Sequence, residues 1–210
     1  MVGDLYNRQA KLNLNIPQKV TVIGCGGIGS WVALNMALIG VRKIILIDPD
    51  TIEIHNLNRT PFTLAHIDLP KVEALAELIF ERRDDCEVLP IQKRLEDLNE
   101  LEIEEIKDSD FIIDCRDRLA EIPFEHNAKV VKLGYDGFMA TIHLNPSTDL
   151  VLGEGNQGYE IIPSWLGTPQ LLAALITVYI CCPELHDSRE KIRSFDVRKL
   201  FGSLFNKKRR

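Results

Sequence analysis

The sequence lacks both the long apolar runs of membrane proteins and the paired cysteines of secreted ones. Its longest apolar stretch, residues 171–182, has the length of a buried helix and is too short to span a bilayer. Residues 1–10 are polar and charged, so we expect no signal peptide. The five cysteines show no paired spacing, which predicts reduced thiols and a cytoplasmic protein.

Positive charge is also scarce. Lysine and arginine number 25 against 31 acidic residues, and this net charge of -6 argues against a DNA-binding surface. The basic end, residues 207–210, is expected to be a solvated tail. With 210 residues, of which 45% are hydrophobic, the chain can bury one core. We expect one domain over residues 1–182 and a C-terminal tail of mixed charge over residues 183–210.

A glycine-rich motif near the N-terminus organises the chain. Residues 20–23 are β-branched and apolar, which predicts a buried strand, and the pattern G-x-G-x-x-G follows at once. An apolar helix is expected over residues 28–40, and a second strand over residues 43–47 leads to Asp48 and Asp50. Such a unit binds nucleotides, because glycine backbone approaches a phosphate and the acid accepts hydrogen bonds from a ribose. The glycines are Gly24, Gly26, Gly27 and Gly29.

The rest of the chain alternates between predicted strands and helices. Strands are expected at residues 86–91, 111–114, 129–133 and 138–144. Helices are expected at residues 3–14, 95–106 and 119–127. Two more helices are predicted from their caps: one follows an N-cap at Asp68, with Pro70 just inside it, and one runs from Pro169 to about residue 181 after a cap at Thr168. Residues 146–166 form a long glycine-containing loop. The alternation predicts an α/β fold, a doubly wound, Rossmann-like, mostly parallel sheet with helices on both faces and a C-terminal antiparallel extension.

The glycine motif alone fits an NAD enzyme as well as an ATP enzyme. Further landmarks are YNRQ at residues 6–9, the doubled glycine of GCGGIGS, the segment DPDTIEIHNLNR, Pro70-Lys71 at a helix start, and DCRD after a strand. With these landmarks the sequence resembles the ubiquitin-activating-enzyme-like adenylyltransferases of the ThiF/MoeB/HesA type. The resemblance covers about residues 5–133 well, and the helix at Thr168 more loosely.

The resemblance implies an ATP- and Mg²⁺-dependent adenylyltransferase that acts as a homodimer. A C-terminal carboxylate of a ubiquitin-like protein, a sulfur-carrier protein or a peptide would attack the α-phosphate, giving an acyl adenylate and pyrophosphate. Such an attack builds negative charge on the phosphates, so catalysis needs fixed cations and a metal.

The resemblance also implies roles for individual residues. Arg59 and Lys71 would clamp the phosphates, Arg8 would reach the neighbouring subunit's ATP, and Asp117 would hold Mg²⁺. The remaining nucleotide contacts would come from Asp48 at the ribose and from Asp50, Asn56 and Asn58.

The sequence departs from the family at several points. It has no Cys-x-x-Cys pair, so we predict no structural zinc. Residues 134–180 contain no cysteine, which favours adenylation without thioester transfer. Thr60 and Arg118 stand where the family usually has glutamine and asparagine. Two alternatives stay open, namely an NAD(P)-dependent oxidoreductase and a non-catalytic structural half of a heterodimer.

Overall fold

The structure, a computed structural model, describes residues 5–117, 121–144, 163–186 and 192–205. Arg118, the basic end at residues 207–210 and most of the loop at residues 146–166 lie outside the described residues.

The described residues form one sheet of seven strands in the order β3-β2-β1-β4-β5-β6-β7. Strands β1 to β5 run parallel, and β6 and β7 are antiparallel to their neighbours. This arrangement confirms the predicted fold class. The strands are β1 (Lys19–Ile23), β2 (Lys43–Ile47), β3 (Glu87–Ile91), β4 (Phe111–Asp114), β5 (Lys129–Asp136), β6 (Met139–Leu144) and β7 (Ile192–Asp196).

Helices cover both faces of the sheet. On one face, Val22 and Leu46 belong to a large apolar core, and on the other Ile45 and Ile112 pack in a smaller one with Ile106. The large core is closed by α1, α2 and α4, and the small one by α3. The helices are α1 (Gly29–Ile39), α2 (Lys71–Phe80), α3 (Glu100–Lys107), α4 (Gly167–Cys181) and α5 (Val197–Phe205).

The apolar helix α1 is fixed firmly at its C-terminal end. It ends at Gly40, whose φ of 109° is left-handed and whose N–H bonds to the Ala37 carbonyl. The buried guanidinium of Arg83 donates to the same carbonyl at 2.8 Å and stacks 4.6 Å from the Tyr6 ring. The N-terminal segment is thereby attached to the C-terminal end of α1, while the opposite end of α1 follows the glycine loop at the carboxyl end of β1, next to β4. The strand order reverses there, and open α/β sheets bind ligands at such a switch point.

Two predicted helix starts are wrong because tertiary contacts override the local signal. Asp68 has a left-handed φ of 69°, and α2 begins at Lys71, because an isolated bridge to Thr51 keeps Pro70 out of the helix. The Thr168 hydroxyl does not cap α4, which starts at Gly167. It donates instead to the Gly137 carbonyl at 2.6 Å.

Other predicted helices are shorter or interrupted. Residues 95–106 divide into a 3-10 turn, Leu95–Asp97, and α3, because Asn99 and Glu102 form a reciprocal capping box that starts a new helix. Of the predicted N-terminal helix, the described part is helical at Leu5 and forms a 3-10 turn over Gln9–Leu12, while residues 3 and 4 lie outside the described residues. Residues 121–127 are not helical.

The sheet continues past residue 182, where the sequence analysis places the start of a C-terminal tail. β7 pairs with β6 in antiparallel register, and α5 follows it directly. The domain boundary itself stays a prediction.

The two edge strands of this sheet are β3 and β7. β3 forms the edge beside β2 and contains Pro90, in register with Leu46, while β7 forms the opposite edge. None of the described helices combines the length and apolar character needed to cross a membrane.

Candidate functional site

A cleft of about 810 Å³ opens at the carboxyl ends of the parallel strands. It lies at the switch point between β1 and β4, where the glycine loop enters α1. The cleft gathers most of the predicted site residues, namely Gly24, Gly26, Gly27, Asp48, Asp50, Asn58, Arg59, Lys71 and Asp117.

The glycines serve different structural purposes in the loop. A Cβ on Gly29 would stand 1.8 Å from the Gly24 carbonyl oxygen, so Gly29 lets the helix start pack on the loop, and it does not line the cleft. A Cβ on Gly26 would meet no atom within 4 Å. The floor of the cleft is therefore bare backbone at a helix N-terminus, which suits an anionic group.

Asp48 is held between the loop and the end of β2. It is 5% exposed, and its carboxylate accepts hydrogen bonds from the backbone N–H of Cys25 at 2.6 Å and of Asp50 at 2.9 Å. Burial raises the pKa of this carboxyl above its ordinary value, and the charge of Lys71 opposes that shift. A fixed carboxylate in this position can accept hydrogen bonds from sugar hydroxyls.

Two predicted cations line the cleft, and one of them, Lys71, lies beside Asp48. Lys71 Nζ lies 2.7 Å from Asp50 Oδ2 and 3.8 Å from Asp48 Oδ1. Arg59 donates through Nη1 to the His55 carbonyl and, at 3.1 Å, to Asn58 Oδ1. Both side chains thus border the cleft whose floor is the glycine backbone.

Asp117 also lines the cleft, three residues after the end of β4. Its side chain is exposed to the cleft. Within the described ranges, no group of three or more His, Cys, Asp or Glu residues could hold a metal ion. Mg²⁺ needs no such cage, because it is usually bound by one or two carboxylates, water and substrate phosphates. Asp117 fits that mode of binding.

Several cleft residues escaped the sequence analysis. Tyr135 lies across the glycine loop, since a Cβ on Gly27 would stand 2.8 Å from its hydroxyl, and it is hydrogen-bonded to Ser164. Three further basic residues line the cleft, Lys93, Arg94 and Arg116.

A buried lysine lies beneath the cleft and was also missed. Lys132 is 1% exposed, and its Nζ lies 3.1 Å from Asp114 Oδ2. Burial lowers the pKa of Lys132, and Asp114 opposes that shift. A lysine inside the apolar run VVKLG of β5 was the available sequence signal.

Some predicted residues are not brought into the cleft. Asn56 is buried, and its side-chain oxygen accepts a hydrogen bond from the Glu53 N–H at 3.1 Å. Arg8 is exposed near the C-terminal end of α1, as the neighbouring Gln9 donates to the Ile39 carbonyl at 2.7 Å. The roles of all these residues stay predictions.

All five cysteines are unpaired thiols. Cys115 lines the cleft, but burial raises its thiol pKa, as it does for Cys25. Burial also raises the thiol pKa of Cys181 to about 11. Because the thiolate is the nucleophile, these three thiols are poorly suited to attack an acyl group.

Comparison with known proteins gives consistent matches. The ThiF family matches residues 7–146. The tRNA threonylcarbamoyladenosine dehydratase 2 of Saccharomyces cerevisiae is 34% identical over 123 residues, covering 54% of this chain and 27% of that protein. The sulfur carrier protein ThiS adenylyltransferase of Escherichia coli is 29% identical over 151 residues, covering 71% of this chain and 55% of that protein. The chain thus spans about a quarter of the first relative and about half of the second.

The fold is also found among solved structures. E. coli MccB with ATP superposes with a TM-score of 0.62 at 23% identity, covering 86% of this chain and 64% of that one. At this identity the likeness establishes the fold alone.

Proposed function

The chain belongs to the ThiF family, and on that basis we propose that it is an ATP- and Mg²⁺-dependent adenylyltransferase that activates a C-terminal carboxylate. The observation that carries this proposal is that Arg59, Lys71 and Asp117 line one cleft, whose floor is glycine backbone. A hydride-transfer site would need a flat pocket for nicotinamide and would leave these charges without a role.

The proposed reaction joins a carboxylate oxygen to the α-phosphorus of ATP and breaks the bond from that phosphorus to the bridging oxygen. Pyrophosphate leaves with the bonding electrons. Asp48 would accept hydrogen bonds from the ribose, and Arg59 and Lys71 would stabilise charge on the phosphates. Mg²⁺, held by Asp117 and phosphate oxygens, would supply further positive charge there.

The substrate we propose is a ubiquitin-like protein, a sulfur-carrier protein or a peptide with a free C-terminus. The E. coli relative is an adenylyltransferase of a sulfur carrier protein, which supports this class. The yeast relative is named for a modified tRNA nucleoside, but a net charge of -6 makes this chain a poor partner for a polyanion.

We also propose that the site is shared within a homodimer and that the protein is cytoplasmic. The place of Arg8 supports the first proposal, because it lies beyond the far end of α1 from its own glycine loop. An eleven-residue helix is about 16 Å long, which is too far for a side chain to reach back. Five unpaired thiols support the second.

The deciding experiment is a calorimetric titration of the full chain with ATP and Mg²⁺ and, separately, with NADH. It needs no knowledge of the substrate. ATP binding without NADH binding is expected. NADH binding with ATP ignored would overturn the proposal in favour of an oxidoreductase, and binding of neither would favour a non-catalytic subunit.

A further inference from the structure

Lys132 occupies a place where lysine is rarely found. It is 1% exposed, inside the sheet, and long charged side chains are almost never fully buried unless they are paired. Asp114 and Lys132 are register partners on the parallel strands β4 and β5, so their side chains point to the same face. The distance between Lys132 Nζ and Asp114 Oδ2 is 3.1 Å.

Lys132 also holds the chain beyond the end of β4. Its Nζ donates to the carbonyl oxygen of Arg116 at 3.3 Å. The Arg116 guanidinium returns to the Asp114 carboxylate, at 3.0 Å through Nε and 2.8 Å through Nη2, and the Arg116 N–H bonds to the same carboxylate at 3.0 Å. The turn is therefore fixed through the amide, the carbonyl and the side chain of Arg116, and Asp117 is the next residue.

The side chain of Lys132 does not line the cleft, so it acts through its neighbours. Mg²⁺ demands nearly ideal octahedral geometry at short distances, which makes it sensitive to small displacements of a ligand. Groups that orient a metal ligand without touching the metal typically change metal affinity by about 10- to 100-fold.

We propose that Lys132 is a positioning residue for Asp117, holding the turn over residues 114–116 from beneath so that the carboxylate is placed to meet Mg²⁺. The proposal rests on the proposed function, because it assigns Lys132 a part in the binding of Mg²⁺ with ATP. Lys132 thereby joins the site without touching any ligand.

The test is a calorimetric titration of ATP into the full chain, once with Mg²⁺ and once with a chelator in its place. In Lys132→Met, which preserves side-chain length, we expect ATP to bind about 10-fold more weakly with Mg²⁺ and within about twofold of wild type without it. The fold should survive, because Asp114 keeps Arg116 as its partner. Circular dichroism checks this, and Lys132→Gln, which retains a donor, replaces the variant should it fail to fold.

Two further variants separate positioning from a general structural effect. Asp117→Ala should remove the benefit of Mg²⁺, and adding Lys132→Met to it should cost nothing more, since both act on one ligand. Lys129→Met, at the exposed start of the same strand, is the matched control and should change neither affinity.

Equal weakening with and without Mg²⁺, or no change in Lys132→Met, would overturn the proposal while the proposed function stands. If the wild-type chain itself binds no ATP, or binds it without regard to Mg²⁺, the proposed function fails and this proposal fails with it.

Discussion

The ammonium of Lys71 lies 2.7 Å from the carboxylate of Asp50, at the first residue of α2. A cation is unfavourable at a helix N-terminus, because the helix dipole is positive there. Asp50, whose side chain is 63% exposed, provides the compensating charge, and Asp48 adds a second at 3.8 Å. A bound phosphate would provide the same compensating negative charge. The ion pair with Asp50 therefore holds the Lys71 side chain in position for an anion.

Replacing Lys71 by alanine should therefore weaken ATP binding and leave the fold intact. Hydrogen bonds to charged groups contribute about 1.5–3 kcal/mol, so we expect ATP to bind about 10- to 100-fold more weakly in Lys71→Ala. The loss of an ion pair with the exposed Asp50 should change the free energy of unfolding by less than about 1 kcal/mol. Calorimetry and thermal unfolding measure the two quantities.

Lys107→Ala is the control for that experiment. Lys107 pairs with Glu104 at 3.0 Å in the last turn of α3 and does not line the cleft. Its replacement should change neither quantity, and comparable ATP affinities in both variants would remove Lys71 from the phosphate site.

The glycine loop permits a second prediction from two similar substitutions. Gly29→Ala would force a methyl group to 1.8 Å from the Gly24 carbonyl oxygen, and overpacking of this kind should destabilise the fold by about 3 kcal/mol. Gly26→Ala has open space, so its free energy of unfolding should stay within about 0.5 kcal/mol of wild type. Chemical denaturation measures both.

Of the two variants, the stable one, Gly26→Ala, is expected to be impaired in ATP binding. The methyl group of Gly26→Ala would stand over the cleft floor, where a phosphate meets the backbone, and should weaken ATP binding in a folded protein. Wild-type affinity in Gly26→Ala would show that the phosphates do not contact this part of the loop.

Asp48 gives a prediction about pH. Its pKa in the folded chain is raised above 3.8 by burial, so the folded state binds this proton more tightly than the unfolded state does. Ionising it therefore costs stability: the cost is absent below about pH 3.8, grows as the pH rises from there toward the raised pKa, and is fully present above it. In the neutral Asp48→Asn one of the two backbone N–H groups loses its acceptor, so the pH trend of the melting temperature carries the prediction. The melting temperature of Asp48→Asn relative to that of wild type should fall as the pH falls toward 4.

Melting curves of both proteins across this pH range check the prediction. Asp84→Asn, at an exposed residue, should show no such trend. A melting temperature of Asp48→Asn that rises relative to wild type on acidification would mean that the native state favours the charged form of Asp48.

The shared site is tested by mixing two inactive variants. Arg8→Ala should bind ATP normally in its own cleft and yet fail in adenylate formation, measured as pyrophosphate exchange once a carboxylate substrate is found. Mixed with Lys71→Ala, it should regain up to about a quarter of wild-type activity, because a random dimer can combine one intact clamp with one intact arginine. Absence of recovery despite demonstrated subunit exchange would argue against a shared site.

The parts of the fold that were predicted correctly carry agreeing local signals. β1, α1 and β2 combine a β-branched strand, a helix without charged residues and a terminal glycine, and each of these features is legible within a few residues. The predicted start of α2 was wrong because the local signal and the tertiary contact disagree there. Asp68 has the chemistry of an N-cap, but a bridge from Thr51, distant in sequence, fixes the backbone before the helix.

Of two features that the sequence analysis missed, one could have been recognised from the sequence and the other could not. Asn99 and Glu102 have the spacing of a capping box and could have marked the start of α3. The contact between Lys132 and Asp114 depends on the register of two strands, which no local pattern fixes. Motif spacing in the sequence therefore predicted most residues of the proposed site. The contact between Lys132 and Asp114 beneath the site could be found only from the pairing of the strands.

Pro90 bears on how copies of this chain behave at high concentration. An exposed edge strand can recruit further strands, and repeated addition is one route to aggregates. Proline is tolerated in edge strands when its nitrogen faces away from the sheet, and it leaves no donor there. A strand added along β3 would lose a hydrogen bond at residue 90, so this edge opposes polymerisation of the folded chain.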